Sequence, residues 1–223
     1  MNRNVLKIIA LLTMIIDHIG AVFFPDVLIL RIIGRVAFPI FAFFVAEGYY
    51  YTKSKARYVI TMLICMVISW APFVLCFSHR WYVANVIGIF LLSILGMYLI
   101  DKIKTSSMKE IFVALFILYI IVLFVLDTLQ VMPETTIGVM LPIAFYVFRG
   151  ARWKQLLAGA VVLVARGLLD VVLYSSWIQM FAVLTILLLI LYNGGKGRLN
   201  LKYLFYIGYP LHLIVIWLIN IMI

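Results

Sequence analysis

A chain of 223 residues in which 67% are hydrophobic and 12% charged, with a mean hydropathy of +1.22, lies far outside the soluble range, where roughly a quarter of residues carry charge. That composition excludes a soluble enzyme or scaffold and indicates an all-α, polytopic integral membrane protein, one domain over residues 1–223 in contact with the lipid bilayer. The net charge of +10 is not a nucleic-acid footprint, because the basic residues sit in short loops and no soluble basic domain holds them.

The first apolar run, 5–24, begins near Arg3 and Lys7 but exceeds a signal-peptide core and leads to Phe24-Pro25-Asp26, so it reads as a retained helix. Inside it Asp17 and His18 stand side by side. A carboxylate deep in a membrane helix costs about 2.5 to 3.5 kcal/mol on insertion scales, which marks the pair as a functional site. Eight further segments are long and apolar enough to be taken as spans: 27–51, 56–77, 84–100, 110–129, 135–148, 155–174, 177–192 and 203–222. The segment 135–148 is short and contains Pro142, so eight or ten crossings stay open beside nine.

Basic residues accumulate on the cytoplasmic side, which gives an independent test of that count. With the N-terminus inside and nine crossings, Arg3, Lys7, Lys53, Lys55, Arg57, Lys102, Lys104, Lys109, Arg149, Arg152, Lys154, Lys196, Arg198 and Lys202 all fall inside. Arg80 falls in an outer loop, and Arg31, Arg35 and Arg166 lie within helices. The C-terminus is then outside.

A rise of 1.5 Å per residue places Asp17 about 10 Å, and Arg35 and Arg166 about 12 Å, below the outer boundary. Three charges from three helices thus share one level. Arg31 and Asp170 sit one turn nearer the outside, His212 near the midplane, and Asn85 and Asp127 at the outer ends of their helices. Together they read as the lining of one cavity open to the outer face. Arg35 and Arg166 are the candidate partners of Asp17, whereas Arg166 and Asp170, at i,i+4, could pair with each other alone. Residues i and i+1 point about 100° apart on a helix, so the partner of His18 must come from elsewhere, with Asp170 or His212 as candidates. If both face inward, the first helix is central to the bundle.

Glu47 lies near the inner end of the second segment, ahead of Tyr49, Tyr50, Tyr51, Lys53 and Lys55. An interfacial aromatic belt with snorkelling lysines accounts for the latter but not for the acid, which suggests a second polar site near the cytoplasm. Cys65 and Cys76 have neither the number nor the spacing of a disulfide framework or a metal site, and no metal is expected.

The stretch Leu6-Lys7-Ile8-Ile9-Ala10 through Met14-Ile15-Ile16-Asp17-His18-Ile19-Gly20 resembles the first-helix signature of the TraX family of conjugative-pilin acetylation proteins. The run from Arg31 through Gly34-Arg35, Pro39 and Phe43 to Glu47-Gly48 and Thr52 resembles that family's second helix, and Tyr209-Pro210-Leu211-His212-Leu213 its last. The resemblance implies acetylation of a pilin N-terminus from acetyl-CoA, a bacterial multi-pass protein of the cell membrane, His18 as catalytic base, and arginines of the second helix in an acyl-donor tunnel. In outline it is also similar to transmembrane acyltransferases that move an acetyl group from cytoplasmic CoA to an acceptor on the far side.

The two readings converge on one scheme. The anionic nucleotide of acetyl-CoA is attracted by Lys53, Lys55, Arg57, Lys102, Lys104, Arg152 and Lys154, and its arm enters near Glu47. His18 and Asp17 are then catalytic, with Arg31, Arg35, Glu47, Lys53 and Arg166 on the acetyl-CoA side and Asn85, Asp127, Asp170 and His212 on the side of an extracytoplasmic acceptor. His18 takes a proton from an amine or hydroxyl, and Arg35 or Arg31 stabilises the oxyanion. A transporter or flippase and a structural subunit are the rival classes, since intramembrane Asp, His and Arg also mark ion pathways and specify packing. Acceptor and oligomeric state stay open.

Overall fold

The structure, a computed structural model, describes residues 1–78, 81–129, 135–197 and 201–222, and among them every regular element is helical. Arg80 and Arg198 lie outside the described residues, as does the side chain of Lys202. The elements are α1 (Arg3–Phe23), α2 (Leu28–Gly34), α3 (Ala37–Tyr51), α4 (Lys55–Phe73), α5 (Val86–Thr105), α6 (Lys109–Thr128), α7 (Thr135–Val147), α8 (Arg152–Tyr174), α9 (Thr185–Ile190) and α10 (Lys202–Met222). Among the described residues, and counting α2 and α3 as one span, six helices are long and apolar enough to cross a membrane, and Thr136–Val147, Ile178–Ile190 and Tyr206–Met222 are shorter apolar stretches. The chain is a multi-pass membrane protein by this architecture.

The second segment is not the continuous helix that its hydropathy suggests. It breaks at Arg35 and Val36, between α2 and α3. Pro39 has no N–H for the carbonyl four residues back, that of Arg35, and its ring crowds that carbonyl, so regular α geometry lapses there. The segment 177–192 also departs from expectation: a tighter 3-10 helix, Ile178–Leu184, leads into a short α9. In α4, Pro72 lies just ahead of a π-helical turn at Val74–Ser78.

Caps set several ends. The Asn2 side chain accepts from the Val5 N–H, Ser54 from Arg57 and Asn85 from Ile87, each satisfying a donor that the first helical turn leaves unpaired. The start of α1 is also tied to the loop after α9: the Arg3 N–H donates to the Gly195 carbonyl at 2.7 Å, and the Asn193 N–H to that of Met1 at 2.9 Å. The chain start and this loop therefore share one face, called here the Met1 face; the opposite one, where α1 ends, is the Phe24 face.

The helix at the centre is α3 rather than α1. It packs against α1, α5, α7 and α9 and buries Ile40, Ala42, Phe43, Val45, Ala46 and Tyr49, whereas α1 turns Val5, Ile8 and Leu12 outward. Outward-facing Ile117, Leu118, Ile121 and Phe124 on α6 give the apolar periphery that a bilayer requires.

Candidate functional site

The break after α2 is what builds the site. Arg35 caps α2, and its guanidinium donates from Nη2 to both Asp17 oxygens, at 2.6 and 2.8 Å. Its Nη1 donates to Gln179 Oε1 at 3.1 Å and its Nε to the Arg31 carbonyl at 3.2 Å. Arg31 reaches the same acid, with Nη1 3.0 Å from Asp17 Oδ2 and also 3.0 Å from the Asp17 carbonyl. One carboxylate is thus clamped by two guanidiniums, leaving one positive charge in excess. Charge-assisted contacts from two guanidiniums to one carboxylate fix geometry as well as supplying energy.

His18, one residue on, faces a different helix, as the 100° step requires. Its Nδ1 lies 2.7 Å from His212 Nε2, and His212 Nδ1 lies 2.9 Å from the Gly208 carbonyl. A carbonyl only accepts, so His212 carries its hydrogen on Nδ1 and presents a lone pair at Nε2. His18 must then donate from Nδ1, which leaves its Nε2 as the basic nitrogen. Phe77 packs on the ring with centroids 4.8 Å apart.

Asp17, His18 and Arg35 line a cavity of about 210 Å³ with Gly34, Gln179 and Arg166. The three charges expected at one depth therefore do share one cavity. Arg166, however, pairs with Asp170 on its own helix at 3.0 Å rather than with Asp17, the i,i+4 alternative raised by the sequence. A second cavity of about 200 Å³ lies toward the Met1 face, walled by Lys7, Phe44, Gly48 and Tyr58 among others. The two share Met14, Phe41, Val86 and Tyr209 as a common wall. Arg3, Lys7, Met14 and His18 recur at helical spacing on one stripe of α1, so a single helix face follows the series from end to end, a distance of about 22 Å.

The remaining expected residues are distributed. Glu47 Oε1 accepts from Arg149 Nε at 2.8 Å, in a third, polar pocket at the Met1 face. Lys53 is exposed on the loop before α4 and lines none of these three cavities. Asp170 is buried against Arg166, and Asp127 is half-buried at the end of α6; neither is on the wall of the Asp17 cavity. Asn85 is fully buried and structural in its contacts: Nδ2 donates to the Met66 carbonyl and to Ser69 Oγ, both at 3.0 Å, while Oδ1 caps α5. Cys65 donates to the Tyr206 carbonyl, which Pro210 leaves without its helical donor, and Cys76 donates to that of Leu213.

Sequence reasoning missed Gln179, whose signal is a lone amide in an apolar run. It also missed Asp101, whose two oxygens accept from Tyr146 at 2.6 Å and Tyr49 at 3.1 Å.

Fold and site define a polytopic helical membrane protein with an interior, positively biased cavity that carries an imidazole. The chain belongs to the TraX family: the family model, described as TraX protein, matches residues 2–220. The chain is 44% identical over 66 residues to an uncharacterized protein of Rickettsia prowazekii (strain Madrid E), covering 29% of this chain and 26% of that one. It is 31% identical over 94 residues to a probable fimbrial assembly protein, FimC of serogroup H1, of Dichelobacter nodosus, covering 38% of this chain and 36% of that one. The matched stretches thus span between a quarter and two fifths of each relative. No solved structure matches.

Proposed function

We propose that the chain is a membrane-embedded acetyltransferase that moves an acetyl group from acetyl-CoA, arriving at the Met1 face, to an amine or hydroxyl acceptor at the Asp17–His18 cavity. The observation that carries this reading is the pair of cavities in series along one stripe of α1, ending at an imidazole whose Nε2 is left basic. Acetyl-CoA is a co-substrate, and its arm suits such a path. Pantetheine is a slender chain, branched only by small groups at its pantoyl end, about as long as four extended residues, or roughly 14 Å, to which the pyrophosphate adds further reach. Met14, flexible and unbranched, is the shared wall residue best able to swing aside.

In the reaction His18 Nε2 takes a proton as the acceptor nitrogen or oxygen attacks the thioester carbon. The carbonyl π electrons move onto oxygen, and the excess positive charge of the Arg31–Arg35–Asp17 clamp stabilises that oxyanion. Collapse re-forms the carbonyl and breaks the carbon–sulfur bond, and the CoA thiolate recovers the proton from His18. Asp17 holds Arg35 in place; His212 orients His18. The family's association with pilin acetylation, and the relative named for fimbrial assembly, support a pilin N-terminus as acceptor, with another cell-surface molecule as the alternative. With α1 starting in the cytoplasm, the donor comes from inside and the acceptor from outside.

The test is transfer of labelled acetyl from acetyl-CoA in membranes holding wild-type protein or His18→Ala at equal abundance. Loss of about 100-fold or more, the scale of a general base, is expected. Undiminished transfer removes His18 from the mechanism.

A further inference from the structure

At the Met1 face a polar pocket of about 400 Å³ brings together three guanidiniums, Arg3, Arg149 and Arg152, with Glu47 as the one acid among its lining residues. Two of these guanidiniums are held ready. Arg149 donates to Glu47, and its guanidinium carbon sits over Tyr50, 3.6 Å from the ring centroid. Arg152 donates to Gln155 Oε1 and to the Leu189 carbonyl, with Phe43 and Tyr192 beneath it at 5.3 and 5.5 Å. A guanidinium fixed by its face and some of its N–H groups keeps its remaining edge for a ligand, and little freedom is lost when the ligand binds.

The pocket also adjoins the route described above. Tyr192 lines it and Phe44 lines the cavity beyond, and the two rings meet with centroids 6.2 Å apart. Arg3 belongs to this pocket and Lys7, one turn on along α1, to the next. Cations thus continue from the surface inward.

We propose that this pocket is a phosphate-binding subsite, in which Arg3, Arg149 and Arg152 hold the phosphate groups of the donor's nucleotide while its arm runs inward along α1. The assignment of the phosphate to a nucleotide rests on the acetyltransferase reading. Surplus positive charge and forked N–H donors suit phosphate oxygens, and flat aromatic walls suit a base. The same chemistry would recognise an anionic lipid headgroup, so the experiment separates the two sources.

Full-length protein in neutral detergent is titrated with CoA, with pantetheine, and with the nucleotide half of CoA lacking pantetheine. Arg3→Gln and Arg152→Lys are each expected to weaken CoA and the nucleotide half by about tenfold, the scale of one charge-assisted contact, and to leave pantetheine affinity unchanged. The Arg3 backbone N–H still bonds Gly195 in the first variant, so folding is retained. Unchanged affinity for the nucleotide half in both variants overturns the proposal. Thermal stabilisation by nanodiscs of anionic lipid that both variants abolish, with CoA affinity unchanged, assigns the pocket to lipid and overturns the nucleotide assignment. Nucleotide binding that depends on these arginines without any acetyl transfer keeps the subsite and sinks the acetyltransferase reading; transfer with arginine-independent binding does the reverse.

Discussion

The Asp17 carboxylate occupies the space that a side chain at Gly34 would need: a Cβ built there falls 2.2 Å from Asp17 Oδ1. Glycine at the end of α2 is therefore what lets α1 and α2 approach closely enough for one acid to meet two arginines. Gly34→Ala should lower stability by about 1–3 kcal/mol, the usual cost of overpacking, and displace the clamp. Thermal unfolding in detergent checks the first effect and acetyl transfer the second; a variant that matches wild type in both would remove the close approach from the account.

Asp17→Asn leaves Arg31 and Arg35 facing each other without an anion. Stability should fall by about 3 kcal/mol, as when one partner of a buried pair is removed. Adding Arg35→Gln should recover part of that loss, because the second change removes the repulsion created by the first. Strict additivity in the double-variant cycle would show that the ion pair does not couple the helices.

In the proposed reaction His212 acts through His18, whose Nδ1 lies 2.7 Å from His212 Nε2. His212→Phe removes the acceptor for His18 Nδ1–H and should lower kcat about tenfold or more while leaving KM for acetyl-CoA near wild type. His212→Gln, which can restore an acceptor oxygen, should recover much of the rate. Equal loss in both variants would reduce His212 to a packing residue.

Met14 sits in the wall common to the two cavities. Met14→Trp should obstruct the route and cut acetyl transfer at least tenfold, whereas the near-isosteric Met14→Leu should stay close to wild type. Initial rates at saturating acetyl-CoA distinguish them, and full activity in Met14→Trp would place the route elsewhere.

Much of this site was visible in the sequence because intramembrane charges are costly and helical depth is countable. Asp17, Arg35 and Arg166 were placed at one level by counting residues, and they line one cavity. The step between Asp17 and His18 sent them to different helices, and His212 was one of two partners that it allowed. Pairing was less legible. Arg166 found Asp170 one turn away, a contact that needs no second helix. Glu47 found Arg149, whose position depends on how α3 meets the connection after α7. The break at Arg35 had a signal in Pro39 that hydropathy alone conceals. Asn85, read from its depth as a site residue, is an N-cap, and its place one residue before an apolar helix was the better clue.

The most direct measurement of the central claim is a structure of the protein with an uncleavable acetyl-CoA analogue bound. The account predicts the phosphates at the Met1 face, the arm along the α1 stripe past Met14, and the acyl carbonyl beside His18 and Arg35. An analogue held wholly outside the bundle, with the wall at Met14 and Tyr209 closed, would contradict it.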